Sequence, residues 1–269
     1  MDNRPIGVFD SGVGGLTVVN ALHHEVPGED IYYVGDTARV PYGNKSSNLI
    51  KQYSEEIVKW LIKKNCKMII VACNTASALA VDYLKKKYST PIIGVIDPGV
   101  KYAIEMTKSL SIGVLGTNAT IQSDSYGSRL KLINPNLNIL SQACPLFVPL
   151  VEEGLVSGEI PRLIAKSYIG HFNNTDIDTI ILGCTHYPIL KKTISSILNN
   201  KIKLVDSGNA TSNIVLKSLY KDNLLSDRAS GKIHSFITDS KNTFERLIKK
   251  SLNNAFNINI DSINRIEIS

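Results

Sequence analysis

The stretches Ile69-Ile-Val-Ala-Cys-Asn-Thr-Ala-Ser77 and Ile180-Ile-Leu-Gly-Cys-Thr-His-Tyr-Pro188 decide the fold of this chain. Each is an apolar, β-branched run that ends at a cysteine, continues with polar residues and passes into a segment of helical character. Such runs are typical of buried parallel strands, and open α/β sheets bind ligands at the carboxyl ends of their strands. Cys73 and Cys184 are therefore expected at two equivalent strand ends that face a ligand.

The likeness between these stretches extends along the chain, because four predicted strands recur in the same order. Their marker residues, each followed by its counterpart, are Ile6 and Ile112, Ile31 and Ile139, Cys73 and Cys184, and Asp97 and Asp206. The offsets are 106, 108, 111 and 109 residues, which is too long for a solenoid repeat and suits a domain. One module is therefore expected to be present twice.

The alternation of strands and helices predicts an α/β fold of two pseudo-symmetric, doubly wound domains with mainly parallel sheets and an active site in the cleft between them. In the first half we expect strands at 5–9, 31–34, 68–72 and 91–96, helices at 48–64 and 76–87, and a closing turn at 97–99. The repeat is lost after about residue 207, and the unpaired tail consists of the segment 209–225, a predicted strand near 233–237 and a predicted helix at 243–252. The predicted domains are 1–97 with 208–269, and 98–207.

Composition and charge limit the function classes. The chain is 43% hydrophobic and 20% charged, it has no apolar run of about 18 residues, and its amino terminus lacks a secretory signal, so we expect a cytoplasmic protein without a membrane span. The net charge of +6 raises the question of nucleic acid. The lysine clusters, such as Lys85-Lys-Lys87 and Lys191-Lys192, are however predicted at helix ends, where cations suit the helix dipole. Nucleic acid is therefore not an expected partner.

Four cysteines in 269 residues are too sparse for a disulfide scaffold, and their spacing matches no paired zinc-ligand motif, so no metal site is expected. Cys66 and Cys144 carry no helix-start signature and are expected to be buried, inert thiols. Cys73 and Cys184 each precede a predicted helix, and the amino terminus of a helix favours the reactive thiolate.

The repeated cysteine indicates a particular chemistry. In two domains related by pseudo-symmetry, equivalent strand ends can face each other across one cleft and present a thiol to each side of a bound molecule. Inversion of a stereocentre requires this arrangement, because one base removes a proton and the other delivers one from the opposite face. His186, near Cys184, and Asp10, near Cys73, can set protonation or move protons within their own halves. The catalytic candidates are Cys73, Cys184, Asp10 and His186.

Two polar segments supply further candidates. The turn Asp10-Ser-Gly-Val-Gly-Gly15 leads from a strand into a helix, and its glycines let backbone amides approach an anion, although a tight turn without a ligand is an alternative. The loop 35–44 is rich in polar and turn-forming residues, and it fits both a binding loop and a surface connection with an exposed Arg39. Side chains that can cap a helix or bind a carboxylate follow the two cysteines: Asn74, Thr75 and Thr185.

These motifs resemble those of the cofactor-independent aspartate/glutamate racemase family, and specifically its glutamate racemases. The resemblance covers about residues 5–208 and rests on the stretches 10–17, 35–43, 72–77 and 183–188. It implies interconversion of L- and D-glutamate without pyridoxal phosphate or another cofactor, with D-glutamate supplied for peptidoglycan. It also implies that Cys184 removes the α-proton of L-glutamate and Cys73 that of D-glutamate. A homodimer is the expected assembly.

The resemblance further implies a set of substrate contacts and leaves rival functions open. The implied contacts are Asp10, Ser11, Pro41, Tyr42, Gly43, Asn74, Thr75, Thr117, Thr120, Glu152, Thr185 and His186. An aspartate or hydantoin racemase would keep both cysteines and change the carboxylate-binding side chains. A cysteine hydrolase would use Cys184 and His186 and leave Cys73 without a role. A solute-binding module without catalysis would need no reactive thiol.

Overall fold

The computed structural model describes residues 1–252 and 259–268. Within these ranges the strands are β1 Ile6–Asp10, β2 Ile31–Gly35, β3 Met68–Val71, β4 Ile92–Gly94, β5 Ser111–Gly116, β6 Asn138–Ala143, β7 Thr179–Gly183, β8 Lys203–Asp206, β9 Ile233–Ile237 and β10 Ser262–Arg265. The helices are α1 Leu16–Glu25, α2 Ser47–Lys63, α3 Asn74–Leu79, α4 Val81–Lys87, α5 Ile96–Met106, α6 Asn118–Gln122, α7 Ser125–Ile133, α8 Phe147–Glu152, α9 Glu159–Ile169, α10 Lys191–Ile197, α11 Ser207–Lys221 and α12 Lys241–Leu247. None of the helices in these ranges is long and apolar enough to cross a membrane.

Two sheets carry the fold, and all pairings between the described strands are parallel. The first sheet has the order β10-β9-β2-β1-β3-β4, and the second has the order β6-β5-β7-β8. The order β2-β1-β3-β4 is repeated by β6-β5-β7-β8, so the predicted fold class, a doubly wound α/β motif present twice, is confirmed. Such sheets bind ligands at the carboxyl end of the strands where the winding direction reverses, here between β1 and β3 and between β5 and β7.

The sheet register shows which positions of the two halves are equivalent. Ile6 in β1 and Ile112 in β5 hold the same place, and their partners in β2 and β6 are Ile31 and Ile139. These offsets were predicted from the sequence. They place the residues that follow β3 and β7, including the two cysteines, at the same level of their sheets.

The fourth predicted equivalence is wrong by three residues. Val71 and Leu182 each lie two residues before a cysteine, and their partners in the outer strands are Gly94 and Asp206. Asp206 is therefore the counterpart of Gly94, whereas Asp97 lies beyond the strand. The sequence comparison matched two aspartates because both follow a short apolar run.

The segment predicted as a strand at 91–96 with a closing turn is shorter than expected. β4 ends at Gly94, and α5 begins at Ile96, so Asp97 and Pro98 lie in the first helical turn. Proline is tolerated there because the amides of a first turn have no partner within the helix.

Two smaller corrections concern helices elsewhere in the chain. The predicted helix 76–87 is interrupted at Ala80. Lys191 and Lys192 begin a helix instead of ending one.

The tail beyond residue 207 adds two strands to the first sheet. β9 was predicted and pairs with β2, whereas β10 was not indicated by the sequence and forms the outer edge. The helix predicted at 243–252 is divided into α12 and a π-helical turn at Ile248–Leu252. Residues 253–258 and 269 of the predicted first domain lie outside the described residues. The domain boundaries stay a prediction, which the pairing of β9 with β2 supports.

A buried ion pair holds the tail at the amino ends of the first sheet. Lys67 Nζ lies 2.5 Å from Glu29 Oε2, and both side chains are almost fully buried. The same ammonium group donates hydrogen bonds to the carbonyls of Asp2 and Leu224, at 2.6 and 2.7 Å. The charge of Lys67 thus connects the chain start, the central strands and the segment after α11.

Candidate active site

A small pocket lies at the carboxyl ends of the central strands of both sheets. Cys73, the residue before α3, and Cys184, which directly follows β7, both line it. The cavity measures about 20 Å³, which is room for roughly one water molecule. The other lining residues are Ser11, Pro41, Tyr42, Gly43, Asn74, Thr75, Thr117, Val148, Thr185 and His186. The structure therefore brings nine of the predicted substrate contacts together with both thiols.

Asp10 is fully buried and lies outside the lining of the pocket. Its Oδ2 accepts hydrogen bonds from the amides of Gly12 and Gly15, both at 3.0 Å, and its Oδ1 accepts one from Thr185 Oγ1 at 3.2 Å. Gly15 must lack a side chain, because a Cβ there would lie 2.4 Å from Asp10 Cβ. The glycine-turn amides that were predicted to approach an anion are thus directed at a carboxylate of the chain itself.

The surroundings of Cys73 favour the neutral thiol. Burial is the main cause that raises its pKa well above the ordinary value, and the negative charge of Asp10 adds to this effect. Hydrogen bonds from the Ala76 amide and the Ser11 side chain act in the opposite direction and are outweighed. In the free protein Cys73 is therefore held as the neutral thiol at neutral pH.

Cys184 has a different partner. His186 Nδ1 lies 3.9 Å from Cys184 Sγ, and His186 Nε2 lies 3.4 Å from Glu152 Oε1. Burial of the ring acts to lower the pKa of His186, but the interactions with Cys184 and Glu152 outweigh it and raise the pKa above its ordinary value. A protonated imidazole beside Cys184 stabilises the thiolate. Glu152 contacts His186 from behind and does not line the pocket.

Side chains from the two halves meet around the pocket. Thr75 Oγ1 lies 3.0 Å from Thr117 Oγ1 and 3.3 Å from Thr120 Oγ1, which places Thr120 behind the lining. Asn74 Nδ2 donates to the hydroxyl of Tyr126 at 2.8 Å. The buried Oδ1 of Asn74 has no hydrogen-bond partner among the described residues, so it is available to accept one from a ligand.

The loop after β2 is held from inside by a buried carboxylate. Asp36 is fully buried, and it accepts hydrogen bonds from the Tyr42 hydroxyl, from Arg39 Nε at 2.6 Å and from Thr238 Oγ1 at 2.9 Å. Arg39 forms a second ion pair with Glu56. The alternative of a simple surface connection with an exposed Arg39 is therefore wrong.

Known proteins resemble this chain in sequence and in structure. A sequence model of the family described as Asp/Glu/Hydantoin racemase matches residues 6–215. The chain belongs to the Asp/Glu/hydantoin racemase family. It is therefore an isomerase of the amino-acid racemase kind, as the resemblance of its motifs indicated.

Individual relatives in this family are similar over nearly their whole length. A glutamate racemase from Geobacter metallireducens is 44% identical over 245 residues, which is 91% of each chain. The crystal structure of a glutamate racemase isoform from Bacillus anthracis matches with a TM-score of 0.94 at 36% identity, covering 99% of this chain and 98% of that one. The glutamate racemase from Francisella tularensis, solved with D-glutamate, has a TM-score of 0.91 at 39% identity, with coverage of 99% and 98%.

Some residues around the pocket were not predicted. Asp36 directly follows the end of β2, as Asp10 ends β1, so the position of a carboxylate at a strand end was an available signal. Val148 and Tyr126 belong to helices of ordinary composition, and their approach to the pocket follows only from helix packing. No pattern in the sequence indicates them.

The remaining cysteines are buried as predicted. Cys66 and Cys144 are 4% and 0% exposed, and all four cysteines are free thiols. Burial raises the pKa of Cys66 to about 12, so its thiol is inert at neutral pH. Within residues 1–252 and 259–268, no group of three or more His, Cys, Asp or Glu side chains is arranged to hold a metal ion.

Proposed function

We propose that the chain interconverts L- and D-glutamate by proton transfer between two thiols, without pyridoxal phosphate. The observation that carries this proposal is that Cys73 and Cys184, at equivalent strand ends of a duplicated motif, line one pocket. Family membership supports racemisation as the reaction. Glutamate as the substrate is supported by the names of the relatives, one of which was solved with D-glutamate.

In the direction from L- to D-glutamate, the thiolate of Cys184 removes the α-proton, and the charge of His186 stabilises that thiolate. Cys73, held as a thiol by burial and by Asp10, delivers a proton to the opposite face of the carbanion. In the reverse direction the two thiols exchange roles. Each turnover leaves the thiols with exchanged protonation states, so the two forms of the free enzyme serve the two enantiomers.

Substrate binding is assigned to the polar lining of the pocket. The amide of Asn74 and the hydroxyls of Thr75, Thr117 and Thr185 offer the donors and acceptors that two carboxylates and an ammonium group require. A cavity of about 20 Å³ must widen to admit a five-carbon amino acid, so movement of the two sheets relative to each other is part of the proposal. Closure over the substrate then excludes water from the weakly acidic α-carbon.

The proposal extends to the biological setting that the family resemblance implies. The enzyme would act in the cytoplasm as a homodimer and would supply D-glutamate for peptidoglycan synthesis. Glutamate as a small-molecule partner is the element of this setting that binding measurements test directly.

The test of the reaction is chiral chromatography of L-glutamate, D-glutamate and both enantiomers of aspartate after incubation without added cofactor. Either glutamate enantiomer is expected to yield the racemic mixture, while aspartate is left unchanged. A requirement for pyridoxal phosphate, or turnover of aspartate alone, would overturn the proposal.

The assignment of the two faces has its own test in deuterated water. With Cys184→Ser, α-hydrogen exchange is expected to be faster for D-glutamate, because Cys73 is intact on that face. With Cys73→Ser, exchange is expected to be faster for L-glutamate. Equal exchange of both enantiomers in both variants contradicts the assignment.

A further inference from the structure

The tail after α11 contacts the site, although the family match ends at residue 215. Thr238 directly follows β9, and its Oγ1 donates to Asp36 Oδ1 at 2.9 Å and accepts from the Ala38 amide at 3.0 Å. The Thr238 amide donates to the carbonyl of Gly35 at 3.2 Å. The next residue, Asp239, donates its amide to Thr37 Oγ1 at 3.0 Å. Four hydrogen bonds thus join two consecutive residues of the tail to the start of the loop.

The same carboxylate connects the tail to the pocket. Asp36 Oδ1 accepts a hydrogen bond from Thr238 Oγ1. Asp36 Oδ2 accepts hydrogen bonds from the Tyr42 hydroxyl and from Arg39 Nε. Tyr42 is 1% exposed and lines the pocket together with its neighbours Pro41 and Gly43. A buried carboxylate with donors on both oxygens is held in one orientation, because each donor lost would leave a charge partly unsatisfied.

We propose that Thr238 and Asp36 are positioning residues, which set the place of the segment Pro41–Gly43 in the wall of the substrate pocket. Neither residue lines the pocket, so both act through Tyr42 and the loop. The proposal rests on the proposed function, since it assigns a role in glutamate binding. It makes a segment beyond residues 6–215, which the family's sequence model matches, a working part of the site.

Because of where the loop lies, its displacement is expected to affect substrate binding and not proton transfer. Gly43 packs on Thr117, because a Cβ at Gly43 would lie 2.8 Å from Thr117 Cβ. The thiols, in contrast, follow β3 and β7, which this loop does not carry. A displaced loop therefore weakens binding of substrate and transition state alike, which raises KM and leaves kcat nearly unchanged.

The test uses Thr238→Val, which keeps the shape of the side chain and removes the hydroxyl. We expect KM for both glutamate enantiomers to rise about tenfold, with kcat within about threefold of the wild-type value. Thr238→Ser restores the hydroxyl and is expected to restore KM. Asp36→Asn is expected to have a larger effect in the same direction, since it weakens the bonds from Arg39 and Tyr42 as well.

Thr107→Val is the matched control. Thr107 Oγ1 also donates to an aspartate, Asp178 Oδ1, at 2.7 Å, but this bond lies at the opposite end of the strands from the cysteines. This variant is expected to lower stability as Thr238→Val does and to leave KM unchanged. An unchanged KM in Thr238→Val, a fall in kcat alone, or a failure of Thr238→Ser to restore KM would each overturn the proposal.

Amide hydrogen exchange of residues 36–44 provides a readout that is independent of catalysis. The proposal predicts faster exchange in Thr238→Val and wild-type protection in Thr238→Ser and Thr107→Val. If the wild-type protein racemises neither enantiomer, the proposed function fails, and this exchange pattern still decides whether the tail holds the loop. Unchanged exchange in Thr238→Val would show that it does not.

Discussion

The two halves of the chain share their strand order and the position of their cysteines, but the ionisable partner of each thiol comes from a different place. Asp10, at the end of β1, adds to the raised pKa of Cys73, and the equivalent end of β5 is Gly116. His186 supports Cys184 from two residues further along the chain, where the first half has Thr75. The duplicated frame therefore places the two thiols almost symmetrically, while their ionisable partners are not related by the duplication. The proposed substrate requires such a difference, because the two carboxylates and the ammonium group of glutamate are not exchanged by the symmetry.

The amino ends of the sheets show a second difference at equivalent positions. Lys67 precedes β3 and Asp178 precedes β7, at an offset of 111 residues that equals the offset of the cysteines. Lys67 binds the carbonyl of Asp2 before β1, whereas Asp178 binds the amides of Lys108 and Ser109 before β5. Opposite charges thus perform the same task, which is to hold the segment that enters the central strand. At both positions the contact to the backbone is present although the side chains differ.

The largest expected effect is on the racemisation rate when one of the two thiols is removed. Cys73→Ala and Cys184→Ala are each expected to lower the racemisation rate by about 10⁴-fold, because each removes one of two necessary proton carriers. Cys66→Ala, in a buried thiol at the other end of β3, is the control and is expected to retain activity. The measurement is the change of optical rotation with either enantiomer. Near-normal activity in one of the two variants would show that a single thiol is sufficient.

The next largest effect concerns stability and the ion pair of Lys67 at the amino end of the first sheet. Lys67→Met leaves the buried carboxylate of Glu29 without its partner, so a loss of about 3–5 kcal/mol in the free energy of unfolding is expected. Urea denaturation measures this loss, and kcat/KM of the folded fraction is expected to stay unchanged. The double variant Lys67→Met with Glu29→Leu is expected to recover much of the stability. A loss below about 1 kcal/mol would mean that water reaches Glu29 in the folded state.

A smaller effect distinguishes the two catalytic partners. Asp10→Asn and His186→Asn are each expected to lower kcat by about 100-fold, which corresponds to about 2.7 kcal/mol. Because the equilibrium constant between enantiomers is 1, kcat/KM must remain equal in the two directions, so isotope effects are the informative measurement.

The isotope effects are expected to change in opposite ways. In Asp10→Asn the step at Cys73 becomes rate-limiting, so the effect of α-deuterium is expected to rise with D-glutamate and to fall with L-glutamate. In His186→Asn the step at Cys184 becomes rate-limiting, and the pattern is reversed. The same pattern in both variants would contradict the pairing of each partner with its own thiol.

The smallest effect concerns Asp178 and depends on pH. Partial burial acts to raise its pKa, but hydrogen bonds from Thr107, from the amides of Lys108 and Ser109 and from Thr179 outweigh it and lower the pKa to about 2. A carboxyl with a lowered pKa in the folded state contributes stability above its unfolded pKa of about 4, and this contribution is lost as the pH falls towards 2. Asp178→Asn is therefore expected to cost about 1–2 kcal/mol at pH 7. Denaturation at pH 7 and at a pH near 2 measures the difference in free energy of unfolding between Asp178→Asn and the wild-type protein. This difference should shrink at the lower pH. A constant difference would argue against the charged form of Asp178 as its source.

Much of the frame could be predicted because its signals are local. Buried parallel strands are continuous apolar runs, so β1, β3, β5 and β7 are visible in the sequence, and their repetition indicates the duplication. A cysteine, an aspartate or an asparagine that ends such a run is assigned to the ligand side by the strand direction alone. For this reason the amino-acid sequence is sufficient to indicate Cys73, Cys184, Asp10 and Asn74 as site residues.

Other features follow only from the tertiary structure. Asp206 was matched with Asp97 because residue spacing alone cannot reveal a register, which depends on the pairing of β8 with β7. β10 was missed because a short edge strand with exposed residues has no apolar run. The contact of Thr238 with Asp36 joins residues 202 positions apart, and neither residue has a pattern that indicates its partner.

The sequence by itself determined the duplicated α/β frame, the position of the two thiols at strand ends and the family. The reason is that runs of adjacent apolar residues indicate buried strands and their direction. Only the tertiary structure decided that Asp10 accepts hydrogen bonds from the amides of its own turn, that Glu152 contacts His186 and not the pocket, and that Thr238 of the tail donates a hydrogen bond to Asp36. The physical reason is that these hydrogen bonds and ion pairs depend on distances of about 3 Å between side chains. The packing of both sheets and all their helices sets such distances, and no local pattern encodes them.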